Sequence, residues 1–311
     1  SVRGFRGEGK IRSRKDRGIT HRKALTVVDL FAGVGGLAEG FSRARIGGRH
    51  AYSIALLVDN DPEACYTFKR NRPDVRYWVT DLRHATASDV RKRSGQRWID
   101  VVVGGPPCQG MSAAGRRLLD DPRNALLKDF VRIAVGLRPK AILLENVPSM
   151  FGEKHGTLGA EVEEQLKRFG YKTAARVLQA SDFGVPQVRR RAFLFAVRST
   201  LGMKPSLPVG NGPTVTVEEA IGDLPAVSPG NGEDPAAYPT PPKSEYQSAR
   251  RQGSGLIFNH RGYNHSAEFV KKLSIIPEGG SNGALPKRRR FSEGYYSQAY
   301  GRLHREQPAY T

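Results

Sequence analysis

The sequence predicts an α/β protein with a doubly wound, mostly parallel sheet and a second, smaller, loop-rich domain. Between residues 25 and 200, short continuous apolar runs alternate with segments of helical periodicity, which is typical of parallel strands covered by helices. Polar and glycine-rich segments follow several of these apolar runs. Because ligands bind beyond the carboxyl ends of the strands in such a sheet, these segments are the candidate functional sites.

Seven strands and two helices are predicted in chain order. The strands are apolar runs at 25–31, 52–58, 75–79, 99–103, 141–144, 173–179 and 191–197. Between the fourth and fifth strands, six apolar residues recur at helical spacing: Leu126, Leu127, Phe130, Ile133, Ala134 and Leu137. A further helix is expected at 159–169. After residue 205 the chain is rich in Pro, Gly and Ser, which predicts loops and a separate lobe.

The charge of the chain favours a polyanionic partner. Its 311 residues include 50 Lys and Arg against 30 Asp and Glu, a net charge of +20, which exceeds what solubility requires. Residues 1–23 carry a net +7 and residues 243–311 another +7, so the excess is concentrated at the two ends. We interpret the first 24 residues as a basic arm, either in contact with phosphates or without a role. Nucleic acid is the expected partner.

Composition excludes several classes of protein. Hydrophobic residues make up 38% of the chain, enough for a core and too many for a disordered polymer. No apolar run approaches the roughly 18 to 20 residues that span a bilayer. The two cysteines, Cys65 and Cys108, exclude a disulfide scaffold and a cysteine-rich zinc protein, and no metal is expected. Cys65 lies in a helix-like segment and is interpreted as a core residue.

A glycine-rich turn and a distant carboxylate indicate a nucleoside-bearing cofactor. The turn Phe31-Ala-Gly-Val-Gly-Gly36 connects a strand to a helix, where backbone can approach a ligand, although a tight turn without a ligand is an equal alternative. It lacks the Gly-Lys-Ser/Thr of a Walker loop and the third glycine of the dinucleotide pattern. Asp59, at the end of the second strand, can accept both hydroxyls of a ribose.

Three kinds of reactive side chain lie at the ends of predicted strands. Cys108 comes after two prolines, which favours a thiol in the cleft over the buried hydrophobe that a free cysteine usually is. Glu145 ends the next strand. A carboxylate beside a thiol suits a reaction in which the thiol attacks one atom of a ring while another atom of the same ring is protonated. The alternative is that Glu145 only caps a helix or forms a salt bridge. Arg189 and Arg191 share one face of an extended segment and can both reach the site, with a solvated basic edge as the alternative.

Four motifs together resemble the cytosine-5 DNA methyltransferase family. They are Asp29-Leu-Phe-Ala-Gly-Val-Gly-Gly-Leu37, Gly105-Pro-Pro-Cys-Gln-Gly110, Glu145-Asn-Val147 and Gln187-Val-Arg-Arg-Arg191, in the family's order and spacing. The resemblance implies the Rossmann-like fold of S-adenosylmethionine-dependent methyltransferases. Together with the charge and composition of the chain, it predicts three regions: a basic N-terminal arm at 1–24, a cofactor-binding catalytic domain at 25–205, and a linker with a partial DNA target-recognition lobe at 206–311.

The resemblance implies a role for each motif residue. Cys108 would attack carbon 6 of a cytosine, while Glu145 would hold the ring through N3 and the exocyclic amine. Arg189 and Arg191 would orient the base and the cysteine loop, and Asn146 would hold the loops together. Ten residues would bind S-adenosylmethionine: Phe31, Ala32, Gly33, Gly35, Gly36, Asp59 at the ribose, Asn60, Asp81 at the adenine amine, Leu82 and Pro107. The implied partner is duplex DNA with a flipped-out cytosine, since carbon 6 is inaccessible inside the stack.

The chain departs from the family pattern near its end. Members normally carry two further motifs after the recognition region, and no Gly-Asn-Ala/Ser-Val-Pro-like sequence is found. We therefore expect either a truncated product or the larger half of a split methyltransferase, whose second polypeptide completes the cofactor site. A tRNA cytosine-5 methyltransferase and a catalytically silent DNA-binding regulatory subunit are the alternative functions. The expected setting is the bacterial cytoplasm, at the nucleoid, with a restriction–modification system as the context.

Overall fold

A computed structural model describes residues 23–107, 124–151, 156–290 and 300–310. It contains one seven-stranded sheet, whose strands we number in chain order: β1 Leu25–Leu30, β2 Tyr52–Asp59, β3 Tyr77–Val79, β4 Val101–Gly104, β5 Ala141–Asn146, β6 Tyr171–Gln179 and β7 Arg190–Arg198. Their spatial order is β3-β2-β1-β4-β5-β7-β6. The seven predicted strands are confirmed, and their ends differ from the predicted ones by two residues at most.

Eight helices accompany the strands in the described ranges. They are α1 Gly36–Arg43, α2 Pro62–Asn71, α3 Ala87–Ser94, α4 Ala125–Leu137, α5 Gly156–Arg168, α6 Val217–Ile221, α7 Glu245–Arg250 and α8 Ala267–Ser274. Helices α4 and α5 are the two that the sequence predicted. The apolar residues of α4 explain its position, since Leu127, Phe130 and Ile133 are almost completely buried.

The sheet is parallel over its first five strands. Strand β1 lies between β2 and β4 and is parallel to both, with Val27 opposite Ile54 on one side and Val101 on the other. Strands β3 and β5 continue the parallel pairing outward from β2 and β4. The prediction of an α/β fold with a mostly parallel sheet is therefore confirmed.

Continuous apolar runs form the middle strands because both faces of these strands are buried. Val27 and Val28 of β1 and Val102 and Val103 of β4 have no exposed surface. Burial of such side chains stabilises the fold by about 1.5 to 3 kcal/mol each. The carboxyl ends of these strands are thereby held in fixed positions, and the polar segments that follow them begin there.

The described residues divide into two compact units. Unit 1 comprises residues 23–107, 124–144 and 197–203, and it contains the glycine-rich turn. Unit 2 comprises the described residues from 145 to 196 and from 204 to 310, and it contains Glu145 and the arginine motif. Beyond residue 204 the regular elements of unit 2 are short, and the longest is the eight-residue helix α8.

Candidate active site

The glycine-rich turn joins β1 to α1 through three residues with positive φ. Phe31, Gly33 and Gly35 have φ angles of 56°, 51° and 86°. A non-glycine residue in this region carries about 1 to 3 kcal/mol of backbone strain, and such residues cluster at ligand sites. A Cβ on Gly35 would lie 2.7 Å from the Phe68 ring, so this glycine is required for packing. A Cβ on Gly33 would meet nothing within 4 Å, which leaves open space beside the turn.

Asp59 holds the turn from the end of β2. One of its carboxylate oxygens accepts a hydrogen bond from the Gly33 N–H at 2.8 Å, and the other accepts from the Asp61 N–H at 3.0 Å. The Tyr77 hydroxyl donates to the Gly33 carbonyl at 2.8 Å. Burial raises the pKa of the Tyr77 hydroxyl above its usual range, so it remains a donor at neutral pH. Sequence reasoning identified Asp59 and missed Tyr77.

Asp29 is a second functional candidate that the residue-by-residue reasoning missed. It lies in the middle of the apolar strand β1, is 1% exposed, and accepts a hydrogen bond from the Ala38 N–H at 3.1 Å. It therefore caps the first turn of α1, whose N-cap residue Gly35 has no side chain to do so. Burial raises the pKa of its carboxyl to about 8. Its other oxygen, Oδ1, is buried and has no hydrogen-bond partner among the described residues.

The other residues expected at the cofactor occupy different environments within unit 1. Ala32 is half-buried and its N–H donates to the Val58 carbonyl at 3.1 Å, whereas Asn60 and Pro107 are exposed. Leu82 is buried in the core, at 2% exposure. Asp81 follows β3, and its carboxylate pairs with the Arg83 guanidinium at 2.6 Å. That pairing lowers the pKa of Asp81 to about 2, so the group is ionised at neutral pH.

These features fit a nucleoside-bearing cofactor such as S-adenosylmethionine. Gly36 begins α1, and a Cβ on it would also meet nothing within 4 Å, so backbone at the helix N-terminus is accessible to a ligand. Asp59 and Asp81 place two carboxylates after neighbouring strands, where a ligand binds in this type of sheet. The negative charge also suits the positive sulfonium of that cofactor.

Glu145 and Arg191 form the central pair of unit 2. Glu145 lies near the end of β5 and Arg191 near the start of β7, and their side chains pair at 3.1 Å. Both side chains are about three-quarters buried, with 26% and 24% exposed. Burial raises the pKa of the Glu145 carboxyl, while the positive charges of Arg191 and then Arg189 oppose that rise. A partly buried carboxyl held by a guanidinium can accept a hydrogen bond from an exocyclic amine and, when protonated, donate one to a ring nitrogen.

Arg189 and Asn146 complete the described part of this group. Arg189 lies between a short two-residue strand at 187–188 and β7, is exposed, and its carbonyl accepts from the Ala180 N–H at 2.9 Å. Its charge reaches Glu145, but the direct contact belongs to Arg191. Asn146 is 4% exposed, and its side-chain oxygen accepts from the Val147 N–H at 2.8 Å. That bond fixes the backbone directly after Glu145.

The two cysteines are described to different extents. Cys108 lies outside the described residues, which stop at Pro107 and resume at residue 124. Cys65 lies on α2 as a free thiol that is only partly buried, whereas its neighbours Ala64 and Phe68 are the buried residues of that helix. The interpretation of Cys65 as a core residue is therefore wrong, since its position in the helix turns it toward the edge of the core.

The described residues contain neither a candidate metal site nor a helix that could span a membrane. Within these ranges, no group of three or more His, Cys, Asp and Glu side chains is arranged to hold a metal ion. No helix in the described part of the chain has the length and hydropathy needed to cross a membrane.

The family model and the relatives found by comparison with known proteins agree with each other. The family model for C-5 cytosine-specific DNA methylase matches residues 25–307. The chain is 36% identical over 293 residues to the type II methyltransferase M1.HphI of Haemophilus parahaemolyticus, a match that covers 92% of this chain and 70% of that one. It is 33% identical over 265 residues to the type II methyltransferase M.DdeI of Desulfomicrobium norvegicum, covering 83% and 62% of the two chains.

A solved structure has a similar fold over most of both chains. It is described as a DNA modification methyltransferase encoded within an E. coli prophage. The TM-score is 0.73 at 25% sequence identity, and the match covers 93% of this chain and 82% of that one.

Proposed function

The chain belongs to the C-5 cytosine-specific DNA methylase family, and on that premise we propose that it transfers a methyl group to carbon 5 of cytosine in DNA. S-adenosylmethionine supplies the methyl group. The pairing of Glu145 with Arg191 carries the proposal, because a mostly buried carboxyl of raised pKa, held by a guanidinium, suits hydrogen bonding to a cytosine ring.

Glu145 activates the ring by holding N3 and the exocyclic amine. Burial raises the pKa of the carboxyl and so favours its protonated form, and a proton donated from that form to N3 withdraws electrons from carbon 6. The Arg191 guanidinium keeps the carboxyl oriented at 3.1 Å. A positioned acid of this kind contributes about 10²- to 10⁴-fold to the rate.

Cys108 is the nucleophile in this proposal. Its thiolate bonds to carbon 6, and the electron pair of the carbon 5–carbon 6 double bond becomes available at carbon 5. Carbon 5 would then take the methyl group from the sulfonium of the cofactor, whose sulfur would keep the electrons of the broken bond and leave as a neutral thioether. Loss of the proton from carbon 5 to a base then restores the double bond and expels the thiolate. The family motif Gly105-Pro-Pro-Cys-Gln-Gly110 supports this role for Cys108.

The cofactor is bound by unit 1 in this proposal. Asp59 accepts the ribose hydroxyls, Asp81 accepts the adenine amine, and the open backbone at Gly33 and Gly36 allows close approach. Phe31, whose φ of 56° is rare for a residue with a side chain, lines the cofactor in this proposal.

The substrate is duplex DNA with the cytosine turned out of the stack. Flipping costs a few kcal/mol, and contacts between basic side chains and phosphates offset that cost. Such side chains are present in unit 2, where Lys287-Arg-Arg forms an exposed turn near the end of the described ranges.

Covalent trapping tests the mechanism directly. The protein, S-adenosylmethionine and mixed-sequence duplex DNA containing 5-fluorocytosine are combined, and a denaturation-resistant complex is sought. Fluorine at carbon 5 prevents the last elimination, so the cysteine stays bonded to the base. We expect a complex with the wild-type chain, none with Cys108→Ser, and at least about 100-fold slower formation with Glu145→Gln.

The controls of this experiment separate chemistry from binding. Cys108→Ser should retain its affinity for the same duplex, measured by fluorescence anisotropy. Arg168→Gln removes an exposed cation paired with Glu164 on α5 and should form the complex at the wild-type rate. Lack of a complex with the wild-type chain, or a complex with Cys108→Ser, would contradict the mechanism. A complex formed on fluorocytosine-containing RNA in place of DNA would contradict the substrate class.

A further inference from the structure

One exposed surface of unit 1 carries arginine side chains stacked on tryptophan rings. We call it the Trp–Arg surface and define it by five residues: Arg76, Trp78, Arg93, Arg97 and Trp98. The Arg93 guanidinium lies over the Trp78 ring, 5.2 Å from its centroid, and the Arg97 guanidinium lies over the Trp98 ring at 5.5 Å. Arg76 donates to the Arg93 carbonyl at 3.4 Å, and Trp98 is 72% exposed.

The cations of this surface are available to an anion. Among the residues that the structure describes, no ion pair joins Arg76, Arg93 or Arg97 to a carboxylate. By contrast, Arg43 and Lys140 of the same unit are paired with carboxylates at 2.6 and 2.8 Å. A guanidinium already restrained against an indole ring loses less conformational freedom on binding. Its fork of N–H donors matches a phosphate.

The Arg97–Trp98 end of the Trp–Arg surface lies at the amino edge of the parallel strands, since Trp98 lies three residues before β4. Arg76 directly precedes β3, whose three residues pair with Leu57–Asp59 at the end of β2, so the surface extends from that edge along β3. The glycine-rich turn lies at the opposite, carboxyl edge, beyond the end of β1. Even β4, with four residues, separates the two edges by about 13 Å at 3.3 Å per residue. A ligand centred on Arg97 and Trp98 is therefore distinct from one held at the glycine-rich turn.

The charges of the Trp–Arg surface differ from those beside the glycine-rich turn. Asp59 ends β2, and Asp61, Glu63 and Asp81 follow the carboxyl ends of β2 and β3, where they suit a cationic cofactor. The last turn of α3 carries Arg91, Lys92 and Arg93, and Arg97 follows it. Basic residues in a last turn complement the helix dipole, but Arg76 and Arg97 lie outside the helix. The Trp–Arg surface therefore carries cations beyond those that a helix end would need.

We propose that the Trp–Arg surface is a second, sequence-independent binding site for duplex DNA, separate from the site that methylates cytosine. The inference goes beyond the proposed methyl transfer and rests on it only for DNA being the substrate. Arg93 and Arg97 neutralise phosphates and release counterions, and Trp98 packs against a deoxyribose. The chain can then hold two DNA segments at once and pass directly from one to the other.

Competitor-dependent dissociation tests for two DNA sites. A fluorescent 30-base-pair duplex of mixed sequence is bound to the protein, and its release is followed in rising concentrations of the unlabelled duplex. With two sites, the second duplex binds before the first leaves, so the dissociation rate rises with competitor. We expect this rise for the wild-type chain and its loss in Arg93→Gln/Arg97→Gln. Removing two phosphate contacts should also make the slope of log affinity against log salt shallower by about 2.

A matched double variant controls for net charge. Arg43→Gln/Lys140→Gln removes the same two charges from the same unit, but from residues that are paired with Glu39 and Asp100. It should behave as wild type, and Trp98→Ala should weaken the competitor effect with no change of charge. Thermal unfolding of each variant verifies folding. A wild-type dissociation rate that is independent of competitor, or equal effects of the two double variants, would overturn the proposal.

Failure of this proposal can be distinguished from failure of the proposed function. The 5-fluorocytosine complex forms on one short duplex and does not need a second site. If the complex forms while the dissociation rate is independent of competitor, the methylation mechanism stands and the second site does not. If the dissociation rate rises with competitor while no complex forms, the second site stands and the methylation mechanism does not.

Discussion

The buried carboxyl of Asp29 shows how one residue can serve a site at a cost in stability. It caps α1 through the Ala38 N–H, yet its other oxygen has no partner among the described residues. Burial raises its pKa to about 8 in the folded protein, whereas an aspartate in the unfolded chain titrates near 4. The residue therefore holds the start of α1 in place while it makes the free energy of unfolding depend on pH.

The first prediction concerns this pH dependence. Between about pH 4 and pH 8 the folded state retains a proton that the unfolded state has lost. The stability associated with Asp29 is thus fully present below about pH 4 and decreases as pH rises toward 8, by up to about 1.4 kcal/mol per unit. Asp29→Asn keeps an acceptor for Ala38 and cannot ionise. We expect it to be more stable than wild type at pH 8, with the difference shrinking toward pH 4.

Urea unfolding at several pH values measures this effect. Asp74→Asn removes an exposed carboxylate from the same unit and should leave the pH profile of stability unchanged. If Asp29→Asn has the wild-type pH profile, the carboxyl is ionised when buried and the account of its role is wrong.

At the scale of elements, two glycines of α1 allow the effect of an added methyl group on stability to be separated from its effect on cofactor binding. Gly36 begins the helix and Gly40 lies one turn later, and a Cβ on either would meet nothing within 4 Å. Alanine is favoured over glycine in a helix by up to about 1 kcal/mol, so both Gly→Ala changes should maintain or raise the melting temperature. Only Gly36 lies where the proposed cofactor approaches the backbone.

The second prediction is that the two substitutions differ in cofactor affinity. Gly36→Ala should weaken S-adenosylmethionine binding about 10-fold, because the added methyl group occupies the space that the ligand needs. Gly40→Ala should bind as wild type. Isothermal titration calorimetry together with thermal unfolding makes the comparison, and equal affinities for the two variants would argue against a cofactor at the start of α1.

The same elements show what sequence could and could not predict. Buried parallel strands are continuous apolar runs, so β1, β2 and β4 were predictable from the positions of such runs in the sequence. The approach of Glu145 to Arg191 followed from both residues lying at strand ends. The hydrogen bond from Tyr77 to Gly33 was not predictable, because it depends on the register of β3 against β2. Asp29 had a signal, a lone acid within an apolar strand, whose meaning required its burial and its partner.

At the scale of the whole molecule, the distribution of charge determines which parts of the chain contribute to DNA binding. The net charge of +20 is uneven along the sequence, and residues 1–22 alone carry eight Lys and Arg against two Asp and Glu. Removing those 22 residues would remove a net +6. Cations that neutralise phosphates contribute about 0.9 each to the slope of log affinity against log salt. A contribution from the arm is therefore measurable independently of any target sequence.

The third prediction concerns the basic arm. Deletion of residues 1–22 should weaken binding to mixed-sequence duplex DNA and make the salt slope shallower by up to about 7, because as many as eight contacts between Lys or Arg and phosphates are lost. Thermal stability and the rate of 5-fluorocytosine complex formation at low salt should stay unchanged, since the cofactor and cytosine groups lie in residues after 24. A matched chain with Gln replacing the eight Lys and Arg of the arm should behave like the deletion. Wild-type salt dependence in both would show that the arm makes no phosphate contacts, and DNA affinity would then come from the folded units alone.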